Sequence, residues 1–295
     1  NRWLALLGPF FYVIFTINSS ASMTDEQIEK YIALKIKRND RVLRLNEKPL
    51  GDEGVKFLAE SPLMENVETL IIYKGGVGDE GVKFLANSRK LSRLSALHLE
   101  NNRITDQGAR VIAESEIFKS LRVLNLYRNK ITNEGAKAIA ESDGLSGLIE
   151  INLNFNEVGD EGALSLTTSN SLKQLKKIGL AYNRLNRSGN EALEKFNILQ
   201  NIFDLENSKR ISEIGNFIHG DLGVIVLTEF SHFFKMDNLD LSDSNLTDRS
   251  AIAIANSEVL KGLLSLNLSG NRITDIGAKA LAYSKNLGQL NKLNL

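Results

Sequence analysis

Residues 121–140 read LRVLNLYRNKITNEGAKAIA, and this stretch decides the architecture. Leu124 and Leu126 alternate with Val123, Asn125 and Tyr127. That is the period-two pattern of a short strand with one buried face. Asn129 and Ile131 follow, then Thr132, Asn133 and Glu134, where a helix should start. Thr and Asn side chains can cap free backbone N–H groups, and an acid in the first turn suits the helix dipole. Ala136, Ile139 and Ala140 then fall at i, i+3 and i+4, which is helical spacing. Residues 142–144 break the helix before the next strand.

The same unit recurs on both sides. Gly54, Gly81, Gly108, Gly135, Gly162 and Gly189 are spaced by 27 residues, as are Asn102, Asn129, Asn156 and Asn183, and Ser61, Ser88, Ser115, Ser142 and Ser169. A fixed period of this length marks a solenoid. One unit is too small to bury its own apolar face, so neighbours must stack. The repeated Asn is expected to bond backbone groups of adjacent turns. The repeated Gly sits in the first helical turn, where it costs about 1 kcal/mol relative to Ala. Its recurrence points to a place where backbones pass too closely for a side chain.

L-x-x-L-x-L-x-x-N followed by I-T-x-x-G-A-K-A-I-A resembles a leucine-rich repeat of the ribonuclease-inhibitor-like type. Residues 121–140 and 263–282 (LLSLNLSGNRITDIGAKALA) are the best copies. The G-A-K-A-L-A helix is also similar to the GALA repeats of bacterial effector proteins. Units begin near Asp40, Val67, Leu94, Leu121, Leu148, Leu175, Ile202, Met236, Leu263 and Leu290, so the resemblance covers roughly residues 38–295. It implies an α/β fold: a curved leucine-rich-repeat solenoid of about ten 27-residue strand–turn–helix units, with an inner parallel sheet and outer helices. The motif is highly specific for fold and weakly specific for function.

Two units depart from the pattern. Near Ile202 the strand is degraded, with Asn207 near an expected leucine, while residues 210–215 (RISEIG) echo residues 272–277 (RITDIG). The step from Ile202 to Met236 is 34, seven residues too long. The excess is expected within residues 220–235, rich in Val224, Ile225, Val226, Leu227, Phe230, Phe233 and Phe234, either as a longer convex helix or as a protruding binding segment. Residues 199–235 are therefore read as degenerate. The unit near Met236 carries Ser244 for Asn and Ser250 for Gly.

Residues 3–17 are almost unbroken apolar after Arg2, with small residues at Ser19 and Ala21 beyond. This has the form of a secretory signal peptide. Fifteen apolar residues are few for a membrane span. Alternatively Met23 is the initiator and residues 1–22 are mis-called, or the segment is a membrane anchor. Residues 1–22 stand outside the fold on each reading. Localisation is secreted or exported with a signal peptide and otherwise cytoplasmic. Thr24 and Gln27 make a capping box, and Ile28, Tyr31, Ile32 and Ile36 line one side of a helix. Residues 23–39 are expected to cap the first strand of the 40–295 solenoid. At the other end residues 293–295 fall inside a strand pattern, so the C-terminus is read as truncated.

Net charge is zero, which gives no global field favouring nucleic acid or acidic membranes. There are no cysteines, so disulfides and thiol catalysis are excluded. His98, His219 and His232 lack metal-ligand spacing. Residues 76–81 match G-x-G-x-x-G, but Gly81 is the repeat glycine and no doubly wound sheet surrounds it. No enzyme, metal, cofactor or small-molecule substrate is expected. The clusters Lys173, Lys176, Lys177, Arg184, Arg187 and Asp237, Asp240, Asp243, Asp248 read as solvated faces.

Function then falls to the exposed strand face. The residues between and just after the strand leucines are Ile71, Tyr73 and Lys74; His98 and Glu100; Asn125, Tyr127 and Arg128; Asn152, Asn154 and Phe155; and Gly179, Ala181 and Tyr182. The repeat template does not demand Tyr, Phe or Arg there, and such residues anchor protein interfaces. The candidate partner-binding residues are Tyr73, His98, Glu100, Asn125, Tyr127, Arg128, Asn152, Asn154, Phe155 and Tyr182. A protein partner on the concave face is the expectation, in keeping with a bacterial secreted or effector protein. The resemblance also admits a GTPase-activating regulator like the Ran GTPase-activating protein, or the substrate-recognition arm of a ubiquitin-ligase-like effector.

Overall fold

The computed structural model describes residues 23–229 and 236–295. The apolar run at residues 3–17, His232 and the Phe230, Phe233 and Phe234 cluster lie outside the described residues.

The chain opens with helix α1 (Asp25–Ile36), whose Thr24–Gln27 capping box is formed and whose Ile28 and Ile32 are buried. It lies against β1 (Val42–Arg44) and helix α2 (Gly51–Glu60). Five further strands then alternate with helices: β2 (Thr69–Ile71), α3 (Asp79–Ala86), β3 (Ala96–His98), α4 (Asp106–Glu114), β4 (Val123–Asn125), α5 (Asn133–Ala140), β5 (Glu150–Asn152), α6 (Asp160–Thr167) and β6 (Lys177–Gly179). All six strands form one parallel sheet in sequence order, with Leu43, Leu70, Leu97, Leu124, Ile151 and Ile178 in register. Each central residue is buried and its neighbours are not, as the alternation requires. The fold is the expected α/β leucine-rich-repeat solenoid.

Three side-chain ladders tie the units together. The first is the expected asparagine ladder. Asn129 accepts from Ile104 N at 3.0 Å and donates to the carbonyls of Leu99 and Leu126 at 2.9 and 3.0 Å. Asn102, Asn156, Asn183 and Asn271 do the same in their units. The second uses the helix-ending serines: Ser115 and Ser142 donate to Ala86 O and Ala113 O at 2.8 and 2.5 Å. The third joins helix N-termini. Asp106 Oδ1 accepts from Thr132 N and Gly135 N at 2.7 and 2.9 Å, and its Oδ2 accepts from the Thr132 hydroxyl at 2.7 Å. Asp79 and Asp248 repeat this on Thr105–Gly108 and Thr274–Gly277.

This third ladder explains most of the repeat glycines, and a close backbone is met at only two of them, Gly81 against Asp52 Cα at 3.4 Å and Gly189 against Asp160 Cα at 3.1 Å. A Cβ on Gly135 would meet Asp106 Oδ1 at 2.5 Å, Ile131 Cγ2 at 2.8 Å and Ala109 Cβ at 3.1 Å. What faces Gly135 is a neighbouring carboxylate with the Ile131 and Ala109 side chains, and no backbone is among its three nearest atoms. The carboxylate must come this close because it bonds the glycine's own N–H.

The repeat breaks after β6. Phe196 stands 27 residues after Ser169, in the place of the helix-ending serine. Leu193, Phe196, Leu199, Ile202 and Leu205 continue helical spacing without a breaker, and α7 (Arg187–Asn207) runs for 21 residues where its neighbour α6 has 8. Here lie the surplus residues: Asp160 to Arg187 and Asp221 to Asp248 each span 27, while Arg187 to Asp221 spans 34. The excess is a longer helix, but it precedes residue 220. Ile202 lies inside α7, so no strand begins there. Nor do residues 210–215 repeat the strand-to-helix junction; Ile211–Asn216 is a 3-10 helix. Gly215 of that helix lies directly against the carbonyl of Asp240.

Beyond the break come α8 (Gly220–Glu229), β7 (Asn238–Asp240), α9 (Asp248–Asn256), β8 (Ser265–Asn267), α10 (Asp275–Ala282) and β9 (Lys292–Asn294). β7, β8 and β9 form a second parallel sheet, so nine strands are seen among the described residues against the ten units expected. The apolar core is divided as well. One cluster runs from Ile28 to Phe196 and a second from Ile202 to Leu287, and α7 contributes to both.

Candidate functional site

The side of the first sheet turned away from the helices carries the residues singled out in the sequence. They fall in three columns, because a 27-residue period puts equivalent positions on neighbouring strands.

The first column is the last strand residue. His98, Asn125 and Asn152 are direct register partners. Asn125 Oδ1 and Asn152 Oδ1 each accept from the N–H two residues on, at 3.0 Å, folding the chain over into its turn. Asp240 and Asn267 make the same bond in the second sheet. This is a repeating turn device, which an exposed strand position in the sequence does not distinguish from a binding role.

The second column is Tyr73, Glu100, Tyr127 and Asn154. Lys74 N donates to Glu100 O, Asn101 N to Tyr127 O and Arg128 N to Asn154 O, so these residues are lateral neighbours. Asn154 Oδ1 accepts from Ala181 N at 2.7 Å and is occupied by the adjacent turn. Asn125 Nδ2 donates to Glu100 Oε1 at 2.8 Å, and His98 Nδ1 lies 3.4 Å from the same oxygen. Glu100 Oε2 is buried and has no hydrogen-bond partner.

The third column has an unusual backbone. Glu47, Lys74, Asn101, Arg128, Phe155 and Tyr182 all have φ between 54° and 57°. This left-handed conformation suits Gly and Asn, and it is uncommon for bulky residues. Asn101 obeys the preference, and Gly270 obeys it in the second sheet with φ 71°. Phe155 and Tyr182 do not. Phe155 is 38% and Tyr182 75% exposed, so at Tyr182 above all little burial offsets the strain.

The three central aromatics meet. Tyr127 and Phe155 have ring centroids 5.0 Å apart at 58°, and Phe155 and Tyr182 stack at 4.1 Å and 20°. Arg128 is exposed beside them. Tyr73 occupies the same column as Tyr127 but is two units away and makes no ring contact with the stack. The strained column is open to detection in the sequence, since Asn101 marks a left-handed position and the aromatics two and three 27-residue steps on, Phe155 and Tyr182, are out of place there.

The basic cluster is largely paired. Lys176 meets Asp204 at 3.3 Å, Lys177 meets Glu150 at 3.7 Å and Arg184 meets Glu157 at 2.5 Å. Among the described residues no group of His, Asp and Glu could hold a metal ion, and no helix is long and apolar enough to cross a membrane. On the helix side a cleft of about 440 Å³ lies between α7, α8 and α9, where Arg187, Arg249 and Lys195 mix with Glu191 and Glu194.

A family model for the Leucine Rich repeat matches residues 92–113, 119–140, 148–166 and 263–282. A search of curated proteins finds no match. The second and third matches contain Tyr127 and Phe155, and the fourth lies beyond the break. On a fold of repeating strand, turn and helix, these four matches support a leucine-rich-repeat protein.

Proposed function

We propose that this chain binds a partner protein on the sheet face of its first array, centred on Tyr127, Phe155 and Tyr182 with Arg128 beside them. The observation that carries this reading is the placement of Phe155 and Tyr182. Both hold a left-handed backbone that disfavours large side chains, and both remain exposed. Local strain that burial does not offset is a mark of a functional surface. Aromatic and Arg side chains are also the residue types that dominate interface energetics. Leucine-rich-repeat domains generally mediate protein–protein interaction, which favours a binding module over an enzyme. The true α-helix in each unit supports the ribonuclease-inhibitor-like repeat type.

The test is a paired substitution. Tyr127→Ala with Arg128→Ala should weaken partner binding by about 2 kcal/mol or more. Lys137→Ala with Glu141→Ala, exposed on and just after α5, should leave affinity unchanged. A partner that is lost with the helix pair and kept with the sheet pair puts the working face on the other side.

A further inference from the structure

Glu100 is the one described side chain with a buried polar atom left without a hydrogen bond. It belongs to the sheet face proposed for binding, and its role as inferred here rests on that reading. The side chain as a whole keeps 18% exposure, so part of it reaches the surface of the wall while Oε2 itself is covered. Its Oε1 is held by Asn125 at 2.8 Å and approached by His98 at 3.4 Å. Its Oε2 has nothing. A carboxylate can accept at about four lone-pair sites, and this one uses one side only. Neither Lys74 nor Arg128, the cations on the flanking turns, forms an ion pair with it.

The surroundings say what would meet it. Glu100 sits between Tyr73 and Tyr127, its lateral neighbours by backbone pairing. Strands in a sheet are about 4.8 Å apart, so the two tyrosines stand on the order of 10 Å from each other with the carboxylate between them. A neutral donor would meet the oxygen and gain nothing from the rings. An ammonium would gain charge but cannot lie flat between them. A guanidinium is planar, always charged, stacks on aromatic faces and presents two parallel N–H groups to a carboxylate. We infer that Glu100, flanked by Tyr73 and Tyr127, is the seat for an arginine side chain of the partner protein. Asn125 and His98 act as positioning residues, fixing one oxygen and leaving the other for the incoming group once the flanking tyrosines part to admit it. The unpaired acceptor is a penalty carried by the free protein, and the partner's arginine removes it.

The test uses N-acetyl-arginine amide as probe, titrated into the full chain and followed by NMR. The expected result is saturable shifts at His98, Glu100 and Tyr127. N-acetyl-citrulline amide, the same shape without the charge, should produce none, and N-acetyl-lysine amide should bind more weakly. Glu100→Gln should reduce arginine affinity at least tenfold, as should Tyr73→Ala with Tyr127→Ala. Equal shifts with arginine and citrulline overturn the assignment, as does an unchanged affinity in a folded Glu100→Gln variant. If that variant does not fold, the arginine and citrulline arms on the unaltered chain decide alone. Should they fail while Tyr127→Ala with Arg128→Ala still abolishes partner binding, the arginine seat is wrong and the binding face stands.

Discussion

The hydroxyl of Ser250 donates to Asp221 Oδ1 at 2.6 Å, in the place where the neighbouring units put a glycine. Elsewhere the backbone N–H of that glycine makes the bond, as Gly277 does to Asp248 at 3.0 Å. The helix N-terminus of one unit is thus built to receive a side-chain oxygen from the unit before it, usually an Asp carboxylate and at Gly162 the Asn133 amide, and the residue there is chosen by how it meets that oxygen.

A glycine-to-serine comparison probes this relationship. Gly135→Ala places a methyl 2.5 Å from Asp106 Oδ1 and should destabilise by about 1–3 kcal/mol through overpacking. Gly135→Ser adds the same carbon but also a donor, as at Ser250, and should be the milder change. Urea midpoints for the two variants check the order, and a serine variant no better than alanine rejects the carboxylate account.

Acid should loosen the same ladder. Hydrogen bonds from the Thr274 hydroxyl and backbone hold the Asp248 carboxyl below its ordinary value. For Asp221 burial pushes upward, but the Ser250 and Thr247 bonds outweigh it and the net shift is again downward. A carboxyl with a depressed folded pKa stabilises the fold above its unfolded value and loses that contribution as pH falls through the folded one. Stability should therefore drop below about pH 4. Asp248→Asn should flatten that dependence, read as denaturation midpoint against pH; an unaltered slope assigns the acid sensitivity elsewhere.

At Tyr182 the usual ranking of Ala over Gly should reverse. With φ at 57°, alanine keeps the left-handed strain that glycine avoids, while both lose the same ring contact with Phe155. Tyr182→Gly should be more stable than Tyr182→Ala by about 1 kcal/mol. Thermal unfolding of the two proteins measures it, and equal stability contradicts a strained backbone at Tyr182.

Gly215 offers a way to separate the two arrays. A methyl there would collide with the Asp240 carbonyl, a backbone atom that cannot rotate away. Gly215→Ala should cost about 1–3 kcal/mol, and the loss should fall on β7, β8 and β9. Hydrogen exchange is the readout: amides of the second sheet should lose protection while those of β2 to β5 keep theirs. Uniform loss across both sheets shows that the arrays unfold as one unit.

Much of this molecule is legible in its sequence because a 27-residue period encodes contacts between adjacent copies of one unit. The strand leucines, the capping threonines and the Asn ladder each depend on residues within a unit or one unit away, and spacing alone places them. The break in the period is visible too, but its position is not. Phe196 in the position of the helix-ending serine lets local helical propensity override the repeat, and the echo of RITDIG in RISEIG conceals this. Three features came only from the tertiary structure: the carboxylates facing the glycines, the ring stack through Phe155, and the idle oxygen of Glu100. Each is a matter of a few ångströms between side chains on neighbouring turns. The sequence by itself determined which residues lie side by side, through the period of the backbone. How closely their side chains approach, and which of their polar atoms go unmet, is set by packing across the stack.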